Sequence, residues 1–509
     1  MKSILELNFE RVGKYYRQSV KEDFFQDIPA KVWNDLDMDE VFLKIDKTQT
    51  KYGQQFLYKS LKLVHGGPVL DLDLETTIQS IQQNPNFEAF LTAKLLGLAK
   101  NDSYFLCNVF QKGFPNPPAF VFGFYILFAA AIVGIPLAFF FSWLIIPLMV
   151  IVTCNFMIHY WGKLNVILDS ASFGQLGEML SVAKAILLEA NKQNFSLIKS
   201  PAVTGINSLI FKTSLFKTRI RGLGEMAEFL EYFTELLKAA FLIEILLYFS
   251  LAKQIEKENK RIEANFEATA YLDFALSILN LRRSDQTITV PKESESLILE
   301  AKELRHPLLS SAISNTFCID RNGVLITGAN MSGKSSFLRC IGLNCVLAQT
   351  INCVYASELT LPKTKLLSSI QNFDELASER SYFFSEAESL KAMLSSPDDQ
   401  GFELLLIDEI FKGTNTKERL ILSSVILNHL ATGKTLVIVT THDLELADTL
   451  SDFLFFYFTG KDVNERYCYD YKLRTGVLDT TNAALVLRDM GYPDEILTKI
   501  SQKQLSERK

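Results

Sequence analysis

Gly328-Ala329-Asn330-Met331-Ser332-Gly333-Lys334-Ser335 fits the pattern G-x-x-x-x-G-K-[ST], a spacing that grips phosphate. The glycines permit a tight loop whose backbone N–H groups cup an anion. Lys334 reaches the β- and γ-phosphates, and Ser335 is placed to ligate Mg²⁺. Ser336 follows and completes the expected ATP-binding set, Gly328 to Ser336. A second element agrees with the first. The run "FELLLIDE" is apolar until it ends in Asp408 and Glu409. Asp408 suits the Mg²⁺ shell and Glu409 suits polarisation of an attacking water. A third is "LVIVTTHD", where His442 follows an apolar run and can touch the γ-phosphate or the water. Lys334, Glu409 and His442 are therefore the expected catalytic residues, and the expected chemistry is hydrolysis of ATP by in-line attack of water.

These residues need a frame. "VLIT" reads as a strand before the loop and "SSFLRCIGLN" as a helix after it, as phosphate binding at a helix N-terminus requires. "GVLITG", "ELLLIDE", "TLVIVTTH", "FLFFYFTG" and "RYCYDYKLR" alternate with helical patterns. Largely apolar strands of that kind point to an α/β sheet covered on both faces. The polar stretch "RRSDQTITVPKESES" marks a boundary near residue 285, and before it the patterns are helical. Residues 20–110 read as helical with a break at "HGGP".

One segment obeys a different logic. From Gly113 to Gly162 the chain has no Asp, Glu, Lys or Arg. A single helix from Ala119 to Trp161 would be about 65 Å long, twice the hydrocarbon thickness of a bilayer. Gly134 and Pro136 lie near its middle, so two helices are expected, Ala119 to Ile135 and Leu137 to Tyr160. Tyr160 and Trp161 suit an interfacial belt, and Lys112 and Lys163 flank the pair. A buried helical hairpin in a soluble core is the competing reading, but soluble helices of such length carry charge. The favoured reading is a multi-pass cell-membrane protein in contact with lipid, with its ATPase part on the cytoplasmic side. The shorter run Ala239 to Ala252 contains Glu244 and reads as a buried soluble helix.

Composition narrows the classes. The 509 residues are 48% hydrophobic and 22% charged, so large cores are expected and global disorder is not. A net charge of −6 argues against a wholly cationic nucleic-acid surface and leaves room for a local one. Lys212, Lys217, Arg219 and Arg221 form such a cluster. It suits DNA phosphates, anionic headgroups or plain solvent. The seven Cys lie scattered without a C-x-x-C pair, which favours reduced thiols over disulfides or zinc. The start "MKSILELNFERVGKYYRQ" has no apolar core of the signal-peptide kind, so no cleavable leader is expected.

At this point a family resemblance becomes specific. "TGANMSGKSSFLRCIGLNCVLAQTINCVYA" resembles the phosphate-loop region of the MutS family. "DELASERSYFFSEAESL", "LLIDEIFKGTNTKE", "TTHDLELAD" and "YKLRTGVLDTTNAALVLRDMGYPDEIL" are similar to segments that follow it in that family. "ELRHPLL" is similar to the lead-in to its ATPase domain, and "EVFLKIDKTQTKYGQQFLYKSLK" to the start of its helical core. The resemblance implies an ABC-type ATPase that works as a homodimer through its ATPase domains, with ATP and Mg²⁺ as cofactors. It implies that Ser381 reaches the partner's γ-phosphate, and that Gly413, Thr414, Asn415 and Thr416 form a loop at the dimer seam. Tyr382 and Lys412 stand where the family commonly has Thr and Arg. No Phe-x-Glu wedge can be assigned, and a mismatch-reading domain is not expected here.

The expected fold class is thus an α/β P-loop NTPase of MutS-like, ABC type, joined to an all-α helical core interrupted by a transmembrane helical hairpin. The expected division is 1–111 for the first part of the helical core, 112–162 for the hairpin, 163–285 for the second part and 286–509 for the ATPase. The expected function is a membrane-anchored ATPase coupled to DNA or mismatch-repair-like work. An ATP-driven switch or scaffold acting on an unknown protein partner is the alternative. A transporter ATPase fits less well, since no LSGGQ signature precedes Asp408.

Overall fold

The computed structural model describes residues 8–21, 24–114, 120–165, 170–215, 225–329, 331–370, 382–394, 401–411, 414–463, 466–478, 492–493, 495–496 and 498–500. Before residue 285 the described chain is almost entirely helical. The helices that matter below are α1 (Lys51–Lys62), α2 (Leu72–Gln83), α3 (Val121–Phe140), α4 (Ile145–Asn165), α5 (Ser170–Lys192), α6 (Glu225–Ala240), α7 (Ile243–Lys257) and α8 (Asn259–Ser284). One short pair of strands, Phe24–Asp27 against Leu63–His65, interrupts the helical pattern expected for residues 20–110.

The long helix α8 is the axis of this part. From Ala268 to Leu279 every residue is buried, which a helix achieves only when neighbours cover all its sides. Asp273 is fully buried on α8 and meets the start of α1. Its carboxylate accepts from the N–H of Gln49 at 2.9 Å, the N–H of Thr50 at 2.8 Å and the Thr50 hydroxyl at 2.6 Å. An anion at a helix N-terminus satisfies donors that have no partner within the helix. Gly53 makes this approach possible, because a Cβ there would lie 2.1 Å from the Asp273 carboxylate.

The uncharged segment is a hairpin, with its turn placed later than expected. Helix α3 runs through Gly134 and Pro136 to Phe140, and a short 3₁₀ turn, Ser142–Leu144, leads into α4. Gly134 marks a close approach instead: a Cβ there would sit 3.1 Å from Leu148 on α4. Pro136 is accommodated inside α3 at the loss of one backbone hydrogen bond. The consequence is two matched helices of 20 and 21 residues, each about 30 Å long by the α-helical rise. Two windows, Val121–Phe140 and Ser142–Leu164, are apolar and long enough to cross a membrane, and only 11% of each is buried. The run Ala239 to Ala252 is not one helix: α6 ends at Ala240, Leu242 adopts a left-handed conformation, and α7 begins at Ile243. Glu244 is buried there, in keeping with a packed helix.

After Ser284 the chain changes to alternating strands and helices. Six strands form the main sheet: β1 (Gly323–Gly328), β2 (Thr364–Ser369), β3 (Phe402–Asp408), β4 (Thr435–Thr441), β5 (Phe453–Val463) and β6 (Arg466–Thr475). Their spatial order is β2-β3-β4-β1-β5-β6, parallel except for the β5/β6 pair. All five apolar runs singled out in the sequence are strands of this sheet. A smaller sheet orders Lys292–Glu293, Glu358–Leu361, Leu299–Leu304 and Asn315–Ile319 beside it. Its strands are short and rich in charge, so periodicity alone does not reveal them.

Helix α9 (Lys334–Ile351) follows β1 and is buried from Phe337 to Ile351 except at Arg339. Gly342 lets it pass between the sheet and the N-terminal helices, since a Cβ there would lie 2.7 Å from Leu406 and 2.8 Å from Leu36. One hydrophobic core runs from Val12 through α8 and α9 to Phe458. Polar ties cross the same junction. The guanidinium of Arg282 on α8 grips Glu75 on α2 and donates to the carbonyl of Asn352, the residue that ends α9, at 2.8 Å. Ser368 on β2 donates to the buried Asp35 at 2.7 Å.

Candidate functional site

The site forms where the parallel strands end. In an open α/β sheet, ligands bind in the crevice beyond the carboxyl ends of the strands. Thr440 of β4 lies in register with Asp408 of β3 and with Ile326 of β1, and Thr441 with Thr327. The loop after β1 and the acids after β3 therefore reach the same edge, with β4 between them.

Gly328 ends β1 with φ +149°, and a Cβ there would lie 2.8 Å from the Phe458 carbonyl. Gly333 opens α9 with φ +102°, and a Cβ would meet the Tyr471 ring at 3.0 Å. Both positions need glycine for conformation and for space. Met331 between them is also left-handed, at φ 68°. The ammonium of Lys334 donates to the carbonyls of Gly328 at 2.7 Å and Ala329 at 3.1 Å, so it lies across the loop. The Ser332 hydroxyl is buried and has no hydrogen-bond partner among the described residues. Asn330 lies outside the described residues.

On β3, separated from β1 by β4, Asp408 accepts a hydrogen bond from the Thr440 hydroxyl of β4. Glu409 follows with φ 53°, and its N–H donates to the Thr440 carbonyl at 2.9 Å. A non-glycine residue held in that region stores strain, a common mark of a functional site. Nδ1 of His442 stands 3.5 Å from Glu409 Oε1, and Nε2 stands 3.7 Å from Asp443. Arg419 holds Asp443 with two bonds, at 2.7 and 2.8 Å. Thus Glu409 and His442, far apart in sequence, come together.

A cavity of about 500 Å³ joins these elements. Gly333, Lys334, Ser335 and Ser336 line one side and Glu409 another. Ser335 offers a hydroxyl at the start of α9 and Asp408 a carboxylate at the end of β3, the oxygen ligands that suit a hard cation. Among the remaining walls, His306, Leu309, Ile313, Asn315, Phe458 and Tyr471 were not foreseen as site residues. The Arg-His-Pro triplet within "ELRHPLL" was their one signal in the sequence. Burial pushes the His306 imidazole down to about 4, and Arg339 acts in the same direction. Its Nδ1 accepts the Leu308 N–H at 3.2 Å, which requires the neutral ring.

A buried acid that sequence reasoning missed holds the turn after Glu409. Glu386, on helix α10 (Tyr382–Leu394), accepts the N–H of Phe411, itself at φ 56°. Asn415 caps helix α11 (Thr416–Leu430) by accepting the Glu418 N–H at 3.0 Å, and the Thr414 hydroxyl donates to Glu418 at 2.9 Å. Thr414, Asn415 and Thr416 thus start an exposed helix. Ser381, Lys412 and Gly413 lie outside the described residues, as do Lys217, Arg219 and Arg221 of the basic cluster. Lys212 is described and donates to Ser250 at 3.0 Å.

Residues 324–507 match the family model for MutS domain V. Over this stretch the chain is similar to the MutS family. A DNA mismatch repair protein MutS from Lachnoclostridium phytofermentans is 27% identical over 285 residues, covering 52% of this chain and 30% of that protein. A DNA mismatch repair protein MutS from Staphylococcus aureus is 26% identical over 279 residues, covering 52% of this chain and 31% of that protein. The chain therefore matches under a third of the length of these MutS relatives.

Proposed function

We propose that this MutS-family chain is a membrane-anchored ATPase that binds and hydrolyses Mg²⁺-ATP and couples the cycle to DNA. The observation that carries this reading is the meeting of Lys334, Ser335 and Glu409 around one cavity at the carboxyl edge of a parallel sheet. Loop amides and Lys334 bind the polyphosphate, and the start of α9 adds its positive end. Ser335 and Asp408 would hold Mg²⁺, which neutralises charge on the phosphate oxygens when bound. Glu409 orients a water and draws its proton as the oxygen attacks the γ-phosphorus. His442, 3.5 Å from Glu409, steadies that carboxylate or the water. ADP and phosphate leave.

Several further parts belong to the same proposal. Two copies close on ATP through their ATPase parts, with Ser381 and the loop Gly413 to Thr416 at the seam. The hairpin α3–α4 crosses the cell membrane, because its exposed apolar surface has a natural solvent only in lipid. The ATPase then faces the cytoplasm. The division at residues 111, 162 and 285 describes these functional parts. DNA enters because the relatives are named for mismatch repair.

The test is a salt titration of DNA binding by detergent-purified full-length protein, with and without a non-hydrolysable ATP analogue. Nucleotide-dependent binding with a steep salt slope is expected. Absence of binding at low salt, with Mg²⁺-ATPase intact, would replace DNA by a protein partner. Absence of ATPase activity would overturn the catalytic reading itself.

A further inference from the structure

Helix α4 carries three polar residues on one face, Asn155, His159 and Lys163, spaced one turn apart. Asn155 and His159 are buried, although Ile146, Met149 and Met157 on the same helix are largely exposed. Their partners come from α6 and α7. Asn155 donates to the Ala240 carbonyl at 2.7 Å. His159 lies 3.8 Å from Glu244, and Lys163 lies 3.0 Å from Glu235 and 3.8 Å from Glu244. Lys238 closes the group on Glu235 at 3.0 Å. Between Tyr232 and Ala252 the only Asp, Glu, Lys or Arg residues are Glu235, Lys238 and Glu244, all members of this cluster. The ligand atoms of His159, Glu235 and Glu244 lie within 4.8 Å of one another, but Lys163 and Lys238 already balance the two carboxylates, so a metal ion is not called for.

We propose that α6 and α7 form a half-span hairpin that dips into the cytoplasmic leaflet beside α4, with acyl chains covering the outer face of α6. This inference rests on the membrane reading of α3–α4. Depth supports it. Asn155 stands about 13 Å along α4 from Leu164, near the middle of a ~30 Å hydrocarbon layer. The tip, Phe241–Leu242, follows Ala240 and so sits at that depth. Charge resumes at Lys253 on α7, about 15 Å back from Ile243, and at Glu231 on α6, a similar distance from Ala240. Both helices thus leave the layer where α4 does. Polar side chains at such depth pair with one another instead of facing lipid, which accounts for the cluster. The remaining face of α6 presents Phe229, Tyr232, Phe233, Leu236 and Leu237 at helical spacing, and Tyr232 is 75% exposed. Helix α6 packs against α4, whose own exposed residues are apolar as well.

The test places a nitroxide on Leu236→Cys in full-length protein in phosphatidylcholine nanodiscs, with the exposed Cys154, Cys318 and Cys468 changed to Ser. Met149→Cys on α4 is the lipid reference and Ile421→Cys on α11 the water reference. Leu236→Cys is expected to match Met149→Cys, with oxygen accessibility above and nickel-chelate accessibility below those of Ile421→Cys. Water-like values at Leu236 with lipid-like values at Met149 would overturn the half-span hairpin and leave the spanning hairpin standing. Low accessibility to both reagents would assign the face to a second copy of the chain and overturn it too. Water-like values at Met149 would remove the membrane reading, and this inference with it.

Discussion

The sheet edge and the helical hairpin solve opposite problems with the same amino acids. At the edge, apolar strands are buried, Glu409 lines the cavity, and His442, after the next strand, stands 3.5 Å from it. In the hairpin, apolar residues are exposed and the polar ones, Asn155 and His159, are buried. On the proposed function, the sheet organises groups for water and phosphate, and the hairpin organises groups for the absence of water. The helical core between them, centred on α8, belongs to the first logic, with Asp273 buried among hydrogen-bond donors and Arg282 paired with Glu75. The contrast teaches that burial of a polar residue has two meanings in one chain. At Asp273 it marks a joint between helices. At His159, on the membrane reading proposed above, it marks the side of a helix turned from lipid.

The largest test of this contrast acts on the chemistry alone. Replacing Glu409 by Gln keeps the shape and removes the proposed base. Turnover is expected to fall roughly 10²–10⁴-fold, while ATP affinity measured by nucleotide binding stays near the wild-type value. Full turnover in Glu409→Gln would move the base to another residue, with His442 the first to examine. The next test acts on the hairpin alone. Val133 is exposed at mid-helix on α3. In water Val133→Lys would cost almost nothing; in the hydrocarbon layer it costs about 2.5–3.5 kcal/mol of insertion free energy. A smaller share of protein is expected in the membrane fraction, with the ATPase of the inserted share unchanged. An unchanged membrane share would place α3 outside lipid.

Much of the candidate nucleotide site was legible because the chemistry expected of it requires fixed spacing. The loop glycines, Lys334, Asp408, Glu409 and His442 each follow an apolar strand, and strands that end at one edge bring them together. The cavity walls were not legible. His306, Ile313 and Tyr471 reach the site through the small sheet, through an irregular segment and through the antiparallel strand β6, none of which has a strong period. The hairpin was legible in composition and misplaced in detail. Pro136 reads as a break, yet a helix accepts one unpaired carbonyl when packing at Gly134 holds it against its neighbour. The pairing of α4 with α6 and α7 was beyond reach, because partners of buried charges are chosen in three dimensions.

The smallest test returns to the sheet edge and turns on protonation. His306 is held neutral, its pKa pushed down to about 4 by burial, against about 6.5 in an unfolded chain. The folded state therefore binds fewer protons than the unfolded state between these values. The stabilisation from the neutral ring is fully present above pH 6.5 and is lost as pH falls toward 4. Between pH 6.5 and 5.5 the loss is about 1 kcal/mol. His306→Gln keeps a polar side chain and does not titrate. Its unfolding temperature is expected to fall less than that of wild type over this interval, and nucleotide affinity above pH 6.5 should not respond to protonation at this position. Parallel pH profiles for the two proteins would mean that the ring takes its proton in the folded state as readily as in the unfolded one. The cavity wall would then present a cation to the nucleotide under mild acid, and the site would join the polar cluster of the hairpin as a place where charge is held inside the fold.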